Sequence, residues 1–372
     1  MSKLKNILAV TLAGLFIFGF SIWSLILPDK EISKTERSRL EQFPELSMDT
    51  IESGEFMSKF DTYTLKQFPL RDLFRTIKAT TAYYALGQRD NNKFYLIDGY
   101  IVKMEYPINK ESVKNATDIF SDMYENWLKN TDANIYLSIV PDKNYFAGGE
   151  GYLSMDYENF VETVKGDMPY AEYIDIFPTL ELSDYYKTDT HWRQECIVDT
   201  AQALASGMGV TLKGEYDVKK ADTEFYGVYH GHSALSYLPA DDLYYLTNDT
   251  LENATVLDME SYKEIPLYDM EKLDSDDDTK IPDAYEMFLS GPNRSILTIE
   301  NPNATTDKEL IIVRDSYTNA LAPLLVEGYK KITLVDIRKV PHDRLSRFVP
   351  VKGQDVLFLQ STLVLNDSSE FK

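Results

Sequence analysis

The stretch from Ile7 to Leu27 holds no charged residue and is rich in Leu, Ile and Phe. About 20 apolar residues carry a helix across the hydrocarbon core of a bilayer. No Ala-x-Ala site follows in "SIWSLILPDK", so the segment reads as an uncleaved anchor rather than a signal peptide. From Pro28 to about Lys110 the chain reads as a membrane-proximal segment that stands the main domain off the bilayer. Its longest run, Ser53 to Leu86, has apolar residues at helical spacing, interrupted at Pro69. "KFYLIDGYIVKM" (Lys93 to Met104) then reads as two short strands around Asp98-Gly99.

After Lys110 helical and strand patterns alternate. "SVKNATDIFSDMYENWLKN" and "DYENFVETVKGDM" have the helical period, and "NIYLSIV" and "EYIDIF" read as strands. "WRQECIVDTAQALASGMG" predicts a helix from Trp192 that ends at glycine. Ala221 to Ile299 breaks the rhythm with aromatics, turn residues and the acidic run Asp274 to Asp278, and reads as an insertion with β character. That run lacks the spacing and glycine of a calcium loop and reads as solvated. Alternation resumes with strands at "ELIIV", "KITLVDI" and "DVLFLQ" and helices at "TNALAPLLVEG" and "HDRLSRF". Such alternation predicts an α/β domain, residues 111–372, with a parallel sheet covered on both faces and an insertion at about 221–299.

Composition narrows the class. The 372 residues include 44% hydrophobic residues and 26 tyrosines, enough for a substantial core. A formal charge of -22 argues against nucleic acid as a partner. Cys196 is the single cysteine, which excludes an intramolecular disulfide and a cysteine-based zinc site. Its ordinary reading is a small buried helix residue. His230 and His232 alternate as metal ligands on a strand would, yet no convincing third ligand accompanies them, and no metal or cofactor is expected. With Tyr226 and Tyr229 they leave two readings open: an aromatic-lined ligand groove or, as is ordinary for tyrosines this numerous, core packing.

Two short stretches carry candidate chemistry. "KELIIVRDSYTNALAPLL" places Ser316 directly after a buried strand and before a helix. A sharp turn there exposes the hydroxyl, and the helix N-terminus offers backbone N–H groups to a developing oxyanion. The competing reading is that Asp315 or Ser316 only caps the helix. "KTDTHW" places Asp189 two residues before His191, so the carboxylate can orient the ring; here too Asp189 or Thr190 can instead be a cap. Both stretches are expected at strand ends that begin helices of one parallel sheet, where ligands bind.

The two stretches together resemble the signatures of the DHHW family of bacterial surface proteins, relatives of the SGNH-like alginate O-acetylation proteins. "TDTHW" is similar to that family's TD-x-HW motif, with Thr190 where histidine is common. "LIIVRDSYTNALAPLL" is similar to its second motif, with Arg314 in place of the usual lysine. "KITLVDIR", "FPLRD", "VPDK" and "MFLSGPNRSILTIEN" match family segments as well, so the resemblance covers nearly all of the chain after the anchor. It implies an SGNH-like three-layer α/β/α fold, with Ser316 as nucleophile, His191 as base and Asp189 as orienting acid. The Ser316 backbone N–H, Asn319, Tyr317, Arg338 and Lys143 are the accompanying oxyanion or substrate-binding candidates. Lys143 is expected at the end of a strand on the site's rim, and Arg338 is expected either to grip substrate or to pair with a carboxylate.

The expected function is therefore that of a membrane-anchored O-acetyltransferase acting on a cell-surface polysaccharide. The alternatives are a carbohydrate esterase with the same triad and a non-catalytic glycan-binding envelope protein. By resemblance alone, a multi-span membrane acyltransferase is implied as acetyl donor. Lys3 and Lys5 precede the anchor while Lys30, Lys34, Arg37 and Arg39 follow it, so basic residues alone do not set its orientation. The short tail and the resemblance favour an extracytoplasmic main domain.

Overall fold

The computed structural model describes residues 2–147, 151–235, 237–273, 281, 283–291 and 293–372. The acidic run Asp274 to Asp278 lies outside them. The chain divides into two compact units: Met1–Asn92 with His230–Tyr237 and Ser275–Pro282, and Lys93–Tyr229 with Leu238–Asp274 and Asp283–Lys372.

In the first unit, helix α1 (Ser2–Ile26) is long and apolar enough to cross a membrane. Helices α2 (Glu55–Lys66) and α3 (Arg71–Thr80) follow. The break between them falls at Pro69, as the periodicity predicts: proline disfavours helix in the residue before it, and Leu70 then turns with φ +54°. Arg71 and Arg75 of α3 both pair with Glu36.

The second unit opens with the expected hairpin, Phe94–Ile97 against Tyr100–Lys103. Asp98 and Gly99 both take positive φ, as a tight turn matched to strand twist requires. Helices α4 (Lys110–Met123) and α5 (Tyr157–Asp167) begin where Asn109 and Asp156 accept backbone N–H bonds as caps. Helices α6 (Val198–Gly207) and α7 (Thr318–Leu325) complete the set that covers the sheet.

The main sheet has eight strands among the described residues: β1 Asn134–Val140, β2 Glu172–Tyr173, β3 Thr255–Asp258, β4 Lys263–Ile265, β5 Ile296–Glu300, β6 Glu309–Arg314, β7 Lys331–Val335 and β8 Asp355–Ser361. Their order is β4-β3-β5-β7-β6-β8-β1-β2. The run from β7 to β2 is parallel, and β5, β3 and β4 extend it antiparallel. Strand β6 lies inside it, with Ile312 level with Leu334 of β7 and Leu357 of β8. Side chains alternate across it. Leu310 and Ile312 join Leu334 and Leu357 in one core under α6 and α7; Ile311 and Val313 join Val335 and Phe358 in the other under α4 and α5. Burial on both faces explains why these strands read as continuous apolar runs.

Three expectations need correction. "EYIDIF" pairs with the sheet only at Glu172–Tyr173. The helix expected from Trp192 starts at Val198, because Trp192 instead bridges back to Tyr185 and a 3-10 turn, Gln194–Cys196, intervenes. "TDTHW" therefore lies in a folded loop, not at a strand-to-helix junction. The segment read as an insertion contributes β3, β4 and most of β5, so it belongs to the sheet.

Candidate functional site

The strand-to-helix turn after β6 is fixed by Asp315. Its carboxylate accepts from the Tyr317 N–H (3.0 Å) and from the Ser361 N–H at the end of β8 (2.7 Å). Tyr317 is the N-cap residue of α7 and makes no side-chain cap bond itself, so Asp315 holds the turn just ahead of the helix and the Ser316 hydroxyl is not engaged as a cap. Ser316 is half-buried and free to face the loop opposite.

That loop presents His191. Its Nε2 lies 2.8 Å from Ser316 Oγ, and its Nδ1 lies 2.6 Å from Asp189 Oδ1. The carboxylate requires Nδ1 to carry the proton, which leaves Nε2 to accept from the serine. Asp189 is 1% exposed, and it is further fixed by the His191 N–H (3.0 Å) and the Val228 N–H (2.8 Å). The hydroxyl, the imidazole and the carboxylate expected from the two stretches are thus brought within hydrogen-bond reach of one another.

The support around them is largely aromatic. Tyr285 stacks flat on His191, with centroids 3.8 Å apart and planes 7° apart, and its hydroxyl donates to the Ser316 carbonyl at 3.3 Å. Tyr317 flanks the same ring at 5.0 Å, and Trp192 Nε1 donates to the Tyr317 carbonyl. The Tyr317 hydroxyl donates to the Thr190 carbonyl (2.8 Å), and the Tyr229 hydroxyl donates to Thr190 Oγ1 (3.0 Å). Gly227 lies so close to the acid that an added Cβ would stand 2.2 Å from Asp189 Cβ.

The remaining candidates take different places. Tyr317 is 2% exposed and braces the loop, so the role read for it at the substrate gives way to a bracing one. Lys143, expected at the rim, is also 2% exposed. It opens a short helix capped by Asp142, and its Nζ donates to the carbonyls of Tyr186 (2.9 Å) and Lys187 (3.3 Å) over the face of Tyr229. Burial pulls its amine down to about 7, against the attraction of Asp189, Asp241 and Asp142. Arg338 forms a two-pronged pair with Asp336, at 2.9 and 2.7 Å. Asn319 is fully buried; its Oδ1 accepts from Arg314, and its Nδ2 has no partner among the described residues.

His230 and His232 lie in a short helix, Val228–Ser233, not a strand. Two residues apart on a helix, they diverge instead of sharing a face. Tyr229 is buried among Phe94, Ile101 and Leu238, which is the core-packing reading, while Tyr226 is exposed. Cys196 sits in a 3-10 turn instead of a helix, and burial raises its thiol to about 11, so it is no thiolate nucleophile. Tyr285 and Gly227 escaped the sequence reading. The glycine between Tyr226 and Val228 was the one local sign that something approaches closely there.

No family model and no curated relative matches the chain. Solved structures do. A DHHW family protein from Eubacterium siraeum is 20% identical, with a TM-score of 0.59 over 76% of this chain and 94% of that one. PatB1 from Bacillus cereus, in a structure with a sulfonyl adduct, is 17% identical, with a TM-score of 0.56 over 73% of this chain and 95% of that one. A second PatB1 structure gives 16% identity and a TM-score of 0.55, over 75% and 99%. At these identities the likeness is one of fold, and it is the fold that the two motifs led one to expect: the chain has the α/β architecture of the DHHW-family and PatB1 structures.

Proposed function

We propose that this chain is an extracytoplasmic, SGNH-like O-acetyltransferase of a cell-surface polysaccharide, held to the membrane by α1. The observation that carries the reading is the continuous chain of short contacts from Ser316 Oγ through His191 to Asp189. In this reading Ser316 Oγ attacks the carbonyl carbon of an acetyl ester while His191 Nε2 takes its proton. Asp189 holds the ring and offsets the imidazolium charge. The Ser316 N–H, just ahead of α7, and the Nδ2 of Asn319, which has no partner among the described residues, are assigned to the oxyanion. His191 returns the proton to the leaving oxygen and then activates a sugar hydroxyl, which takes the acetyl group from Ser316. A surface of charge -22 suits an uncharged or cationic polymer better than a polyanion. A membrane acyltransferase as donor rests on the motif resemblance alone.

The test uses an activated acetyl ester with and without added glycan. Acetyl appearing on the glycan supports transfer; free acetate alone makes the protein an esterase with the same machinery. Ser316→Ala is expected to lower either activity by at least ~10³-fold, as removal of a triad member does, with unchanged circular dichroism. A sulfonyl fluoride should label Ser316 and no other serine. Full activity in Ser316→Ala, or labelling elsewhere, overturns the reading.

A further inference from the structure

Helix α3 carries a narrow apolar stripe. Leu73 and Ile77 share one face with Phe74 and are 51% and 50% exposed, and Leu70, the left-handed residue just ahead of the helix, is 49% exposed. The i, i+1, i+4 spacing of Leu73, Phe74 and Ile77 is that of a helix with an apolar face seeking a neighbour. The opposite side is polar and engaged: Arg71 and Arg75 pair with Glu36, and Asp72 accepts from Thr35.

What covers the stripe follows from where its ends touch. Phe68, just before α3, stacks on Phe20 of α1 with centroids 5.4 Å apart. Phe74 packs edge-on against Phe20 at 5.6 Å and Phe16 at 6.4 Å. At a rise of about 1.5 Å per residue, Phe20 lies ~9 Å and Phe16 ~15 Å inside the C-terminal end of α1. If α1 spans the membrane, both rings stand within hydrocarbon, and the side chains that meet them reach the same depth. Leu73 and Ile77, on the same face as Phe74, and Leu70 just ahead of them then cannot lie in bulk water. The cleft beside them has a matching character: Leu27, Phe68 and Leu73 form its apolar wall, and Asp29, Lys30 and Lys66 its polar rim.

We propose that α3 lies in the outer boundary of the bilayer, alongside α1, with Leu70, Leu73 and Ile77 among the acyl chains just below the headgroups. Helices of this kind sink ~5–10 Å into that boundary. The membrane attachment is then a two-element platform instead of a single tether, and it fixes the rotation of the first unit about the membrane normal. This inference rests on the reading of α1 as a membrane anchor.

The experiment places a nitroxide at single cysteines, in a Cys196→Ser background, on the full chain in lipid nanodiscs. The sites are Leu15→Cys in α1, Leu73→Cys and Ile77→Cys on the stripe, and Asp72→Cys on the polar side. Collision with oxygen, which partitions into lipid, is compared with collision with a water-soluble nickel chelate. The oxygen-to-nickel ratio is expected to be several-fold higher at 15, 73 and 77 than at 72. If 15 reports lipid while 73 and 77 match 72, the interfacial helix is overturned and the anchor stands. If 73 and 77 are shielded from both reagents, protein covers the stripe, and the proposal is equally overturned. If 15 itself reports water, the anchor reading fails and takes the proposal with it.

Discussion

The imidazole of His191 is restrained in two ways that come from different parts of the chain. Its hydrogen bonds to Asp189 and Ser316 set its tautomer and reach. Tyr285 lies on its face, and that contact limits tilt. A stacked aromatic pair is worth about 0.5–1.5 kcal/mol beyond its buried area, and a nucleophile poised for attack is sensitive to small angular errors. Tyr285→Leu is therefore expected to lower kcat by roughly 5- to 10-fold with little change in KM. Tyr285→Phe keeps the ring and loses the hydroxyl's 3.3 Å contact to the Ser316 carbonyl and its bond with the Ala320 backbone, and should stay close to the parent. Steady-state kinetics with the activated ester check both. Equal losses in the two variants would mean that the hydroxyl, not the stack, carries the effect.

At the scale of elements, the site joins a strand-to-helix turn to a folded loop, and the two were not equally legible. Ser316 stood out because its surroundings are local: a buried strand before it, a helix after it, and both found in place. Asp189 and His191 stood out by their residue types and spacing, but their setting did not. The loop from Tyr186 to Trp192 owes its shape to groups distant in sequence. Lys143 holds the Tyr186 and Lys187 carbonyls, and Asp241 takes the N–H groups of Lys187 and Thr188. No periodicity encodes such contacts, so the loop passed for the end of a strand and the start of a helix. The segment around Gly227 was similarly hidden: its N–H donates to Thr188 Oγ1, and its lack of a side chain lets the backbone approach Asp189. Gly227→Ala would set a Cβ 2.3 Å from Asp189 Cα, so backbone must move. It is expected to cost ~1–3 kcal/mol of stability and most of the turnover of the activated ester. Gly166→Ala, near the end of α5 with open space around it, is the matched control and should be neutral or slightly stabilising. Thermal unfolding and initial rates of the two variants separate crowding at the acid from a general intolerance of added methyl groups.

For the molecule as a whole, adjacent buried groups at the end of β1 link the site to the stability of the fold. Asp142 and Lys143 are each 2% exposed. Burial pushes the Asp142 carboxyl up to about 6, although the hydroxyls of Thr362 and Tyr157 and the Asn144 N–H favour its charge. Burial pulls the Lys143 amine down to about 7. An unfolded chain would restore values near 3.9 and 10.4. Between about pH 4 and 6 the folded state therefore holds the extra proton, on Asp142, and stability falls as pH rises through that window. Between about pH 7 and 10 the unfolded state holds the extra proton, on Lys143, so stability rises with pH. From these two groups alone, the fold is weakest between about pH 6 and 7, where each carries its charge in a buried setting. Lys143→Met removes the second contribution. The difference in unfolding free energy between parent and variant should then grow in the parent's favour by a few kcal/mol from pH 7 to pH 10. Below pH 6 that difference should stay flat. Asp142→Asn should abolish the acid-side slope instead. Denaturant unfolding of the full chain in detergent across this pH range checks both. If Lys143→Met shows the parent's alkaline slope unchanged, the amine stays charged inside the fold, and the carboxylates around it, Asp189 among them, outweigh its burial.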